Sequence, residues 1–279
     1  TKAAYNVYFG LAFELRESDQ EARKQLIPAQ TASYLDRTSW NITVNGNPET
    51  LLIAENPVIT FYELAGLSRG LGSLSVKFDP DGVLRRVPLL VRYEDGYFPL
   101  LPLRVACDYL SVPPEKVVLD PGKHIILRDA QKPGNEAAHD IVIPVDQHGN
   151  MIVNFVGPWG IMDHYSFADI FMASDDRDDL EMWAEELEGR ILIISDVSTG
   201  SSDIGPVPTD ANFPLSGTHA NIIHNILNES FLRELSGREM LLIEALLMAV
   251  VLLLSVRFSA LYFSIGTVLL AAAYITAVG

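Results

Sequence analysis

The sequence predicts an α/β fold: a single domain with a mixed sheet flanked by helices, followed by two membrane helices. Three observations carry this. Short β-branched and aromatic runs alternate irregularly with helical patterns, which argues against a regular parallel wound sheet. Several pairs of runs flank tight-turn residues, which argues for local antiparallel hairpins within that sheet. The last forty residues, 240–279, are almost wholly apolar, with only Glu244 and Arg257 charged.

The elements follow in order. Residues 5–13 (YNVYFGLAF) read as a buried strand, and 17–26 as an exposed helix with Pro28 just beyond it. Candidate strands 40–43 and 51–54 surround the turn Asn45-Gly46-Asn47-Pro48. Residues 59–67 form a short helix. Strands 73–78 and 83–93 alternate around Asp79-Pro80-Asp81-Gly82 and are expected to pair as a hairpin. Residues 100–110 are helical. Strands 116–119 and 124–127 flank Pro121-Gly122, and 132–139 is a loop. Strands 141–144 and 151–156 form another hairpin around 146–150. Helices cover 167–173 and 178–187. Residues 190–197 (RILIISDV) are the most apolar strand of the polar portion, and a Gly/Ser/Asp/Pro loop leads from it into a helix over 218–232.

The tail divides at Arg257. At about 1.5 Å per residue, 240–256 spans roughly 25 Å and 258–278 roughly 31 Å, against a hydrocarbon core of about 30 Å. Two membrane helices joined by a tight turn fit these lengths, leaving 1–236 as a polar domain held at the membrane. Glu244 can snorkel to the interface or face a neighbouring helix, a structural role in either case. Arg257 between the spans favours a cytoplasmic turn, which puts the large domain outside the cytoplasm. Arg233 and Arg238 pull the other way. The chain does not begin with Met and ends at its last span, so both ends read as cut from a longer protein.

Charge narrows the function. The chain has 36 acidic and 20 basic residues, a formal net charge of −16. That balance argues against nucleic-acid binding and against simple adhesion to anionic lipid. Cys107 is the single cysteine. It permits no intrachain disulfide and no cysteine metal cluster, and its apolar helical setting reads as a packed thiol.

The richest stretch for a site is 195–225, SDVSTGSSDIGPVPTDANFPLSGTHANIIHN. Loops past the ends of sheet strands are where α/β proteins place ligands. Candidate ligand contacts there are Asp196, Thr199, Asp203, Thr209, His219 and Asn221, with Thr218 as a helix cap; the equal alternative is a structural loop that Asp203 and His219 tie down by hydrogen bonds. Asn221 shares a helix face with His224 and Asn225. His219 and His224 diverge by about 140°, so a metal pair is not expected. The second candidate loop holds Asp79, Asp81, Arg85 and Arg86. It opens like a calcium loop, but its twelfth position is Leu90, so a turn is the better reading. Of two adjacent strand arginines only one can point inward, and Asp79 or Asp203 could pair with it. Phosphate-loop, nucleophile-elbow and zinc-protease motifs are absent from the sequence. Ser195, Asp203 and His219 could be assembled into a catalytic trio on paper only. No cofactor is expected.

Three blocks resemble the type-two CHASE domain, an extracellular sensory module associated with cyclases and histidine kinases. They are GLGSLSVKFDPDGVLRRVPLLVRYEDGYFPLLPLRVA (70–106), IPVDQHGNMIVNFVGP (143–158) and LEGRILIISDVSTGSSDIGPVPTDANFPLSGTHANIIHNIL (187–227). The first is similar to the family's glycine, D-x-D-G turn, arginine pair and helix. The second resembles its Asn-aromatic-x-Gly run. The third resembles its buried strand, small-residue loop and His-Ala-Asn helix start. The chain departs from the pattern at Ser195-Asp196, where a glycine is common, at Gly10, and at Pro208-Thr209, which inverts the usual order. The resemblance implies a periplasmic or extracellular sensor of a bacterial inner-membrane protein. Its unknown small-molecule or protein signal would bias membrane helices, a cyclase or kinase effector outside this sequence, and a homodimer by family analogy. A membrane-tethered hydrolase using Asp203 and His219, or a protein-docking module, are the alternatives.

Overall fold

The computed structural model describes residues 6–18, 25–134, 137–173, 175–197, 203–257 and 259–278. The chain divides into two compact units, 1–232 and 233–279.

In the first unit, β1 (Tyr8–Arg16) lies inside a five-stranded mixed sheet. It pairs antiparallel with β3 (Ile53–Val58) and parallel with β4 (Gly70–Ser73). Beyond β3 come β6 (Leu90–Tyr93), parallel to it, and β7 (Gly96–Pro99), antiparallel to β6. A second sheet runs in the order β10 (His139–Pro144), β9 (His124–Ala130), β8 (Val117–Asp120), β2 (Thr43–Val44). Two short ribbons complete the unit: β5 (Arg86–Pro88) with β11 (Asn150–Ile152), and β12 (Ile204–Val207) with β13 (Asp210–Pro214). The helices are α1 (Ala29–Thr38), α2 (Tyr62–Ala65), α3 (Leu101–Tyr109), α4 (Phe167–Ala173), α5 (Arg177–Leu187) and α6 (Leu215–Asn228).

Two apolar cores result. The larger joins the second sheet to α3 and α6, through Leu103, Cys107, Ile125, Ile143, Phe213 and Ile222. The smaller lies on the first sheet around Leu11, Phe13, Leu35, Leu71 and Phe98. There the Phe13 ring centroid sits 5.2 Å from Phe98 and 5.3 Å from Tyr93, edge-on or tilted geometries that aromatic pairs favour.

The glycines of β4 explain how α3 docks. A Cβ on Gly72 would lie 2.3 Å from the Leu101 Cα, so only glycine lets this strand touch the helix backbone. Gly70 likewise leaves room for Arg104, which donates to the Thr38 and Leu71 carbonyls.

Several sequence expectations fail for local reasons. The helix expected over 17–26 falls largely on undescribed residues, and 25–28 are not helical. Pro28 is the N-cap of α1. The expected hairpin 73–78/83–93 does not form. Its turn does, with the Gly82 N–H donating to the Asp79 carbonyl at 2.8 Å. Residues 74–78 join no strand, however, and a bend at Leu89 separates β5 from β6. The expected hairpin 141–144/151–156 also fails. Asp146 builds the turn by accepting from the His148 and Asn150 N–H groups, yet β10 pairs with β9 and β11 with β5. The helix expected from Thr218 begins at Leu215 and ends at Asn228, with Glu229 after it in the left-handed conformation. The helix is therefore not capped by Thr218, which sits a full turn inside. The largest correction is 190–197. It is not assigned to any strand, and Leu192, Ile193, Ile194 and Val197 are exposed.

In the second unit, α7 (Gly237–Arg257) and α8 (Ala260–Val278) follow one another, and Gly266 of α8 lies against the Leu254 side chain of α7. Among the described residues one helix, α7, is long and apolar enough to cross a membrane, with mean hydropathy 2.4. The apolar run of α8 over Tyr262–Ala272 is shorter than that criterion, so one spanning candidate stands where the sequence predicted two.

Candidate functional site

The two loops singled out in the sequence meet. The Leu84 N–H donates to the Pro206 carbonyl at 2.9 Å, tying the 79–86 loop to β12. Phe78 packs on Gly205, where a Cβ would come within 3.0 Å of the ring. Hydrogen bonding of its backbone brings β12 back to the start of α6, with the Leu215 N–H donating to the Asp203 carbonyl at 2.9 Å.

In the first loop, charge is balanced internally. Arg85 reaches Asp79 at 3.2 Å and Asp81 at 2.8 Å, and Arg86 reaches Asp79 at 3.5 Å. Both arginines therefore face the same carboxylate, against the expectation of one inward and one outward. Arg85 precedes β5, so strand alternation does not bind it. Its hydrogen bond to Asp81, aided by the Val83 N–H, holds that carboxyl down at about 2.

The second cluster surrounds the start of α6. Partial desolvation raises the Asp203 pKa although much of the residue faces solvent, and the Ser216 N–H donating to it works the other way. The Ser195 hydroxyl donates to the Ser216 Oγ at 2.9 Å. His219 is half-buried, with Nδ1 sealed from solvent and without a hydrogen-bond partner. Burial pushes its pKa down to about 4, so the ring is neutral over most of the pH range. The buried Thr218 Oγ1 is also without a partner.

A catalytic trio needs a base held by an orienting group and hydrogen-bonded to a nucleophile. Nothing orients His219 through Nδ1, and Ser195 spends its proton on Ser216. Among the described residues no group of three or more His, Cys, Asp or Glu is placed to hold a metal.

The remaining expected residues are structural in their contacts or lie apart. Thr209, in the turn between β12 and β13, donates to the Gly157 carbonyl at 3.0 Å. Asn221 accepts from the Val156 N–H at 2.9 Å and donates to the Gly217 carbonyl. Asp196 lies exposed in the segment 190–197. Thr199 lies outside the described residues.

Sequence reasoning missed Asp210, whose carboxylate accepts from the Trp159 and Asn212 N–H groups. It also missed the role of Asn225, which holds both backbone groups of Asn154. The signal was present: Asn221 and Asn225 are four apart, one above the other on α6.

A family model for the CHASE2 domain matches residues 6–256. No curated protein and no solved structure matches the chain.

Proposed function

The chain belongs to the CHASE2 family of extracytoplasmic sensory domains, and on that premise we propose that it is the ligand-sensing part of a membrane-bound receptor. A small polar ligand binds where the 79–86 loop meets β12 and the start of α6. The Asp79, Asp81, Arg85 and Arg86 cluster and the Asp203, Ser216 and His219 group supply its contacts, with Asp196, Thr199, Thr209 and Asn221 in the loops and helix around them. The sensory domain covers 1–236, and residues 240–256 and 258–278 are two spans joined at Arg257 on the cytoplasmic side. The bound ligand shifts a two-state arrangement of these spans, which biases a cytoplasmic effector outside this sequence.

The observation that supports this reading is the Leu84–Pro206 hydrogen bond, which couples two polar loops through one ribbon. Movement at either loop is thereby felt at the start of α6.

The test is a thermal-shift screen of the detergent-solubilised chain against small molecules and ions. A true ligand at about one hundred times its dissociation constant adds roughly 2.7 kcal/mol of stability. Arg85→Ala and Asp203→Asn are expected to abolish that shift while leaving the unliganded melt close to wild type. A screen without any stabilising compound, together with measurable turnover of a substrate, would count against a sensor.

A further inference from the structure

A surface helix ordinarily turns its apolar stripe onto the core. Helix α5 buries none of its residues, and α4 buries only Ala173. On α4, Phe167 and Phe171 stand one turn apart with stacked rings, 6.3 Å between centroids, and both are exposed. On α5, Leu180, Trp183 and Leu187 repeat at the spacing of one helix face, yet none of the three is buried. Met172 is 72% exposed, and Met182 also faces solvent. Methionine adapts well to surfaces of varied shape. Apolar side chains gathered in this way on a water-facing helix pair mark an interaction surface.

Charge selects what can cover it. Residues 163–188 hold ten acidic side chains and one basic, Arg177. Arg177 is taken up by Glu181 at 3.0 Å. Among the described residues the carboxylates of Asp169, Asp178, Asp179 and Glu185 have no cation partner. One open groove joins the apolar and acidic features: Tyr165, Met182, Trp183, Glu185 and Glu186 line about 450 Å³. The Tyr165 and Trp183 rings meet edge-on at 5.4 Å. The Tyr165 hydroxyl and Arg190 both donate to Glu186 at 2.8 Å, which fixes that wall. The Glu185 carboxylate is left over in a groove with two aromatic rings. This setting suits a Lys or Arg side chain, whose stem lies on apolar surface while its cation meets ring and carboxylate together. The same charge repels an anionic bilayer. A purely apolar partner would cover these carboxylates without compensating them.

We infer that α4 and α5 form a docking surface for a basic amphipathic segment of another protein. Its apolar side chains cover Phe167, Phe171, Met172 and Leu180, and one of its cations enters the groove beside Trp183 and Glu185. Opposite charge speeds the encounter and sets which partner is accepted, while the apolar contacts supply the hold. The surface shares no residue with the proposed ligand loops, so the two readings stand or fall separately.

The test uses the full chain in nanodiscs of zwitterionic lipid, with the signal of empty discs subtracted. Three fluorescent peptides are titrated by anisotropy: an amphipathic helix of Leu and Lys, the same helix with Glu for every Lys, and the same helix with Ser for every Leu. The Leu/Lys peptide is expected to bind about tenfold or more tightly than either of the others, and to weaken as salt rises. Phe171→Ser and Glu185→Lys should each weaken it by about tenfold or more. Glu185 is exposed and unpaired, so the Glu185→Lys melt should stay near wild type, which keeps the test decisive if Phe171→Ser disturbs α4. The exposed control Glu115→Lys makes the same change of charge elsewhere and should shift binding by less than about twofold. Absence of binding above empty discs overturns the inference. So does equal binding of the Leu/Glu peptide, and so does an equal effect of Glu115→Lys and Glu185→Lys, which would reduce the attraction to net charge. Lipid is the rival occupant. With the buried Cys107 replaced by Ser, a dye on Phe171→Cys that brominated lipid in the disc quenches would put this face in the bilayer and overturn the docking surface.

Discussion

Asn225 holds Asn154 by both of its backbone groups: Oδ1 accepts from the N–H at 2.9 Å, and Nδ2 donates to the carbonyl at 2.9 Å. One helical turn earlier, Asn221 accepts from the Val156 N–H. The side-chain amides of α6 thus stand in for a neighbouring β-strand along 154–156. Asn225 is buried, so water cannot replace it.

Asn225→Ala therefore leaves the N–H and the carbonyl of the half-buried Asn154 unpaired. The expected loss is roughly 2–4 kcal/mol of unfolding free energy, from about 1–3 kcal/mol for each stranded group with partial relaxation. Denaturant melts of the solubilised chain would measure it. Asn228→Ala, on the exposed end of the same helix, is the control and should cost under about 0.5 kcal/mol. Equal losses for the two would show that the amide clamp does not hold 154–156.

Gly72 and Gly82 make a second contrast. A Cβ on Gly72 meets the Leu101 backbone at 2.3 Å, and a backbone atom cannot rotate away. Gly82 has open space around it but a φ of +80°. Gly72→Ala is expected to cost about 3 kcal/mol or more by overpacking. Gly82→Ala should cost about 1–2 kcal/mol through its left-handed backbone alone. A thermal melt in which Gly82→Ala is the more damaging change would contradict this docking of α3 on β4.

His219 predicts a pH dependence. Its folded pKa, about 4, lies below the ordinary value of 6.5, because burial disfavours the charged ring. The unfolded chain then binds more protons than the folded one between these values. Stability contributed by the neutral ring is complete above pH 6.5 and is lost progressively as pH falls toward 4, by up to roughly 3 kcal/mol. His219→Gln should flatten the stability–pH curve across that window while leaving the slope above about pH 7 unchanged. An unaltered slope between pH 4 and 6.5 would place the ring in solvent.

Elements whose signal was local were legible in the sequence. Strands β8 and β9 and helices α3, α4 and α5 appear close to where apolar periodicity and turn residues put them. The Asp79–Gly82 turn and the Asp146 turn were also legible, because Asp and Gly build such turns from their own side chains and backbone. What the turns connect was not. Pairing β5 with β11 joins residues more than sixty positions apart, and no local pattern encodes that choice. The β12–β13 ribbon was hidden among Pro, Gly and Asp, residues that ordinarily signal a loop. Residues 190–197 failed differently: their apolar run read as a buried strand, but the segment joins no strand and residues 192–197 are exposed. In the candidate site, the meeting of the two loops depends on Leu84 reaching Pro206, a contact invisible at the level of motifs.

Membrane topology tests the sensor reading most directly. Glu115 is exposed, and Glu115→Cys offers a thiol on the surface of the polar domain. Cys107 is fully buried, and desolvation pushes its thiol pKa up, so it serves as the silent internal control. Intact bacterial cells expressing the full chain would be treated with a membrane-impermeant maleimide, before and after permeabilisation. Labelling of the Glu115→Cys chain in intact cells, with no gain on permeabilising the inner membrane, is the result expected of a domain outside the cytoplasm. Labelling only after the inner membrane is breached would put the domain inside and contradict the sensor.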